Sequence, residues 1–165
     1  MSYNIVYGYE ILNRLDHVKY LSGKESKTDY IRRKVSLYPI YEHINQHTKN
    51  DAIVYDVMSG HRSYYVDREY IHHPRHVDTI FMNYLSQKKS HTDYESYLRG
   101  LKTRNGTGVT HLLIRPYLFI NTYKNIFPEY DRSAILNFIE FLNRQKFLLQ
   151  SGDTRLYELV PGQAG

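Results

Sequence analysis

The chain has 165 residues, 41% of them hydrophobic, which is enough for one packed domain with or without an appendage. It contains no cysteine, which excludes a disulfide framework and a thiolate zinc site. No apolar run approaches the ~20 residues of a membrane span, and the N-terminus lacks a signal-peptide pattern, so a soluble cytoplasmic protein without a membrane partner is expected. The net charge of +5 is unevenly distributed. Between Lys88 and Arg115 six basic residues (Lys88, Lys89, Arg99, Lys102, Arg104, Arg115) face only Asp93 and Glu95, a local +4 that favours an anionic partner. Eighteen tyrosines stand out as well. Their apolar rings and polar tips suit half-buried surfaces, interfaces and base-stacking platforms alike.

In chain order, Ile11, Leu12, Leu15 and Val18 stand at helical spacing between Tyr7 and Leu21, with Gly23 as a stop. Ser26 to Asp29 offers a cap for a second helix carrying Ile31 and Val35 on one face, which Pro39 should kink or break. Ile40, Tyr41 and Ile44 continue a helix to about His47, ahead of the polar run Thr48-Lys49-Asn50-Asp51. His43 and His47 share a helix face; with no neighbouring carboxylate or third ligand in the sequence, a solvated face is expected rather than a metal pair. Residues 1–50 therefore read as an N-terminal helical segment ahead of a mixed domain over 51–160, or as the start of one continuous domain over 1–160.

Ala52–Met58 and Arg62–Ile71 are rich in Val, Ile and Tyr and flank Ser59-Gly60-His61, which predicts a central β-hairpin. The cluster His72-His73-Pro74-Arg75-His76 lacks convergent carboxylates beyond Asp67, Glu69 and Asp78. It reads as a helix entry, with Pro74 in the first turn and Val77, Ile80, Phe81, Tyr84 and Leu85 as the buried face. Thr92–Leu101 is a further short helix stopped near Gly100. The loop Lys102-Thr103-Arg104-Asn105-Gly106-Thr107-Gly108 then combines charge with residues that allow tight turns and free backbone N–H groups for phosphates. No P-loop ending is present. Past Pro116, which suits a first helical turn, Leu118, Ile120 and Ile126 with Tyr117, Phe119, Tyr123 and Phe127 form an apolar helix that Pro128 ends. Asp131 caps a long helix with Ala134, Ile135, Phe138, Ile139, Phe141 and Leu142 as its stripe. Phe147–Gln150, Ser151-Gly152-Asp153 and Arg155–Val160 read as a C-terminal β-hairpin, and 161–165 as a tail. The fold class is α+β, a compact mixed domain with several amphipathic helices and two hairpins.

The stretch 106–142 resembles the heart of the KilA-N domain, a DNA-binding module of phages and large DNA viruses related to APSES domains. Members carry a Gly-Thr-aromatic-hydrophobic-His-Pro entry, a Leu-Ala-Ile-type helix and a Ser-Pro-Glu-Phe-type exit. The matching residues are Gly108, Thr110, His111, Ile114, Pro116, Leu118, Ile120, Pro128, Glu129 and Tyr130. Arg115 stands where His is common, Tyr123 where a small residue is, and Asn125 where an aromatic one is. The resemblance implies a phage or viral regulator of transcription, acting in the host cytoplasm, that binds double-stranded DNA. A homodimer is compatible with it.

Charge and loop chemistry place the expected nucleic-acid contacts at Lys88, Lys89, Lys102, Arg104, Asn105, Gly106, Thr107 and Arg115, with Arg132, Arg144 and Lys146 beside them. His111 reads as packing or a phosphate contact. No catalytic residue, metal or cofactor is expected, because no paired carboxylates and no nucleophile–base arrangement are evident. The competing reading is a Tyr-rich interaction module that binds a host or phage protein, such as a viral inhibitor.

Overall fold

The structure is a computed structural model that describes residues 16–60, 62–72, 79–87, 90–101, 106, 108–129 and 131–160. The chain divides into two compact units, Met1–Tyr38 and Pro39–Gly165. That boundary lies inside the helical segment expected to run to residue 50. Among the described residues no helix is long and apolar enough to cross a membrane.

The first unit carries helices α1 (Val18–Leu21) and α2 (Lys27–Lys34). The Ser26 hydroxyl accepts the Asp29 N–H at 3.1 Å and caps α2 as expected. Arg33 ties the unit together: it donates to both oxygens of Glu25, at 2.8 and 2.7 Å, and pairs with Asp16. Tyr20 stacks on Tyr30 with ring centroids 5.1 Å apart. Helix α2 ends at Lys34, ahead of Pro39, which falls instead in the first turn of α3 (Tyr38–His47).

The second unit is built on β1 (Ile53–Val57), β2 (Glu69–His72), β3 (His111–Ile114), β4 (Lys146–Ser151) and β5 (Thr154–Glu158), in the order β2-β1-β3-β5-β4. Strands β2, β1 and β3 are parallel; β5 runs antiparallel to both β3 and β4. Helices α4 (Thr79–Ser86) and α5 (His91–Gly100) connect β2 to β3. Helices α6 (Pro116–Ile126) and α7 (Arg132–Arg144) connect β3 to β4. Strand alternation divides the sheet into two faces. Ile53, Tyr55, Val57, Leu112, Ile114 and Tyr157 join one core with side chains of α4 to α7. The other face carries Val54, Asp56, His111 and Leu156 and meets α3, whose Ile40, Tyr41 and Ile44 are fully buried.

The rings of the main core interlock around Phe138. Its centroid lies 5.0 Å from Phe119, 5.7 Å from Phe81 and 5.9 Å from Tyr94. Such edge-on and tilted pairs add to the burial of the rings themselves. Ser90 and Asp93 form a reciprocal capping box on α5. Asp131 accepts the Ser133 N–H at 2.8 Å to cap α7, and Pro116 opens α6, both as the sequence indicates. The C-terminal hairpin is present, turned by Gly152 at φ 59°.

Three expectations need correction. The pair expected as a central hairpin is parallel, with Ile53 opposite Glu69. Gly60 does turn the chain, at φ 112°, but the connection then climbs onto α3. The Asn45 side chain donates to the Tyr65 carbonyl at 2.9 Å and accepts the Asp67 N–H at 2.9 Å, while Arg68 donates to the Asn45 carbonyl at 2.8 Å. These bonds return the chain to the start of β1, so β2 must enter in the same direction. In α6 the buried positions are Phe119 and Tyr123, with Leu118 only half-buried. In α4 the buried face is Phe81, Met82 and Leu85, leaving Ile80 exposed.

Candidate functional site

A cleft of about 590 Å³ opens between the C-terminal end of α3 and the sheet, where β3, β5 and β4 meet. Helical spacing places His43 and His47 on one side of α3, one turn apart, with rings stacked at 4.7 Å and 17°. Strand alternation sends His111, Glu158 and Lys146 to the face that α3 covers, since His111 pairs with Glu158 across β3–β5 and Glu158 with Lys146 across β5–β4. Thr48, Lys49 and Asp51 close one rim, and Arg99 at the end of α5 another. Ala52, Leu148 and Leu159 supply an apolar lining.

The Thr110 hydroxyl organises His111. It accepts the Ile53 N–H at 2.9 Å, lies 3.1 Å from the Ile53 carbonyl and 2.8 Å from His111 Nδ1. The hydroxyl has one proton, which can serve either Nδ1 or the Ile53 carbonyl, and that carbonyl already accepts the Thr110 N–H at 3.0 Å. Nδ1 is engaged by Thr110 in either tautomer, and Nε2 is the ring nitrogen left for the cleft. Burial holds the His111 pKa below its ordinary value, helped by His43 and Lys146 against the opposing charge of Glu158. His43 is lowered too, by burial and then by His47.

Three cations border the cleft. Lys146 binds Glu158 at 2.7 Å and holds its carboxyl below the usual range. Arg99 binds Glu95 at 2.9 Å and donates to the Leu159 carbonyl at 3.1 Å. Lys49 has no ion-pair partner among the described residues. Arg99 and Lys146 are each matched by a glutamate, so with neutral imidazoles Lys49 is the cation at the cleft that can meet an anion, while the rings stack or form hydrogen bonds. Among the described residues no group of three or more His, Asp or Glu is arranged to hold a metal ion.

The neck of the basic loop lies at this cleft. A Cβ on Gly108 would collide with the Arg99 backbone, and the Val109 N–H donates to the Leu98 carbonyl at 3.3 Å. Glycine is needed here for close approach, and the segment that leaves at Leu101 rejoins the fold between Arg99 and Thr110.

Of the expected contact residues, Lys88, Lys89, Lys102, Arg104, Asn105 and Thr107 lie outside the described residues. So do most of the His72-His73-His76 cluster and the start of its helix. Gly106 adopts φ 71°. Lys146 alone of the remaining cations lines the cleft. Arg115 sits at the far end of β3, about 13 Å along the strand from His111, and grips Asp153 through Nε at 2.9 Å and Nη2 at 2.7 Å. Arg144 pairs with Glu140 at 2.5 Å, roughly 18 Å along α7 from Arg132. Arg132 instead borders a smaller hollow of about 290 Å³ with Lys124, Ile135 and Leu136. Sequence reading singled out His43 and His47 by helical spacing, Arg99 by charge, and Thr110 and His111 by resemblance, but it did not bring them together with one another or with Lys49. The chain matches no protein-family model, no curated protein and no solved structure.

Proposed function

We propose that the protein binds nucleic acid through this cleft and the basic stretch between α5 and β3 that carries Lys102 and Arg104. The observation that carries the reading is the convergence of Lys49, Arg99, Lys146 and three imidazoles at the point where the +4 stretch enters the fold. Backbone phosphates supply most of the affinity in such a site. The resemblance of 106–142 to a DNA-binding module points the same way. The tyrosines lend less support to an interaction module. Tyr41, Tyr55, Tyr94 and Tyr123 are buried, and only Tyr20, Tyr64 and Tyr117 are exposed among the described residues.

The test is oligonucleotide binding over a salt series, with the parent and with Lys102 and Arg104 both replaced by alanine. Binding should fall linearly on a log–log scale, and the double variant should lose about 2 from the slope, ~0.9 for each duplex phosphate released. A parent that shows no salt-sensitive binding to any nucleic acid, beside a stable protein complex from the native host, would replace this reading with the interaction module.

A further inference from the structure

We infer that the cleft accepts an unpaired nucleotide, base included, so that the preferred ligand is a single strand rather than a duplex. This rests on the nucleic-acid reading above and narrows it.

Three features favour an unpaired base. The cleft is a recess of about 590 Å³, within the range that holds small organic ligands. A duplex keeps its base faces stacked inside, and offers a recess only phosphates and groove edges. The lining is also wrong for phosphate alone. Ala52, Leu148 and Leu159 are apolar, and the stacked His43–His47 pair ends in an exposed His47 ring. Such a ring is a platform on which a splayed base can continue the stack.

The third feature is His111. Its Nδ1 is engaged by the Thr110 hydroxyl, and Nε2 has no hydrogen-bond partner among the described residues. In the neutral ring Nε2 accepts when Nδ1 carries the proton and donates when it does not. A base edge or a ribose 2′-hydroxyl can meet either form, whereas a phosphate diester has no proton to give and can meet only the donor. Burial of His111 favours the neutral form at neutral pH. Lys49, at the rim and without an ion-pair partner among the described residues, is then left to meet a phosphate beside the inserted nucleotide.

Fluorescence anisotropy at fixed salt and neutral pH decides the matter, using a labelled DNA strand, the RNA strand of the same sequence, and the corresponding blunt duplex. At least one single strand should bind about tenfold more tightly than the duplex, as one stacked base would provide. His47→Ala, on an exposed ring, should abolish most of that preference, lowering single-strand affinity several-fold more than duplex affinity. Adenosine monophosphate should compete at concentrations where inorganic phosphate does not. Preference for the RNA strand assigns the Nε2 partner to the 2′-hydroxyl; equal binding of both strands assigns it to the base. A duplex that binds as well as either strand, or phosphate that competes as well as the nucleotide, would overturn the inference and leave nucleic-acid binding standing. Absence of binding to all three would overturn both.

Discussion

Replacing Gly108 by alanine tests how the fold and the cleft are joined. The added Cβ meets the carbonyl oxygen, Cα and carbonyl carbon of Arg99, all backbone atoms that no rotamer change can move. Overpacking of this kind costs about 1–3 kcal/mol. Relief requires the entry to β3 to move away from the end of α5, which breaks the 3.3 Å bond from Val109 N–H to the Leu98 carbonyl. Loss of that bond adds about 0.5–1.5 kcal/mol. Together these predict a loss of roughly 2–4 kcal/mol, or a urea midpoint lower by about 1–2 M at the usual slope. Gly106→Ala is the internal control. It has φ 71° and open space around the missing side chain, so it should lose only the ~1–2 kcal/mol of a left-handed residue. Oligonucleotide affinity should fall with Gly108→Ala as Arg99 and Thr110 are displaced. Urea midpoints that put Gly108→Ala at or above Gly106→Ala would refute the reasoning.

Phe138→Ala, at the centre of the ring cluster and fully buried, should lose about 3–5 kcal/mol in the same urea assay; a loss under 1 kcal/mol would show that the rings do not pack as described. Tyr70→Phe removes the 2.8 Å hydroxyl donor to Asp56, a carboxylate only 2% exposed, and should lower thermal stability by about 1–3 kcal/mol. An unchanged melting temperature would mean that water serves Asp56 equally well. The pH dependence follows from His111 and His43, whose folded pKa values are depressed below 6.5. The unfolded chain then binds more protons, so their contribution is whole above about pH 6.5 and is lost as pH falls below it. His111→Gln should flatten that decline; a decline of the same steepness in the variant would place its origin elsewhere.

Local chemistry was legible in the sequence. Ser26 and Asp131 cap the helices they were expected to cap, Pro116 and Pro128 bracket α6, and Gly152 turns the last hairpin. Each of these signals acts within a few residues. The parallel entry of β2 was not legible, because its cause is Asn45, more than twenty positions upstream of Asp67. The glycine turn at Ser59-Gly60 reads the same whether the chain doubles back or climbs over a helix. In α6, alternating large residues on several sides left the buried face ambiguous, and the packing against Phe138 selects Phe119 rather than Leu118. The cleft was hidden for a related reason. His43, His111 and Lys146 come from a helix and two strands far apart in the chain, and only the sheet order brings them together.

The most direct test of the central claim is NMR of the histidine ring protons during titration with an unlabelled single strand. The His43, His47 and His111 signals should shift together and saturate at one equivalent. Saturable binding that moves none of the three cleft histidines would contradict the account.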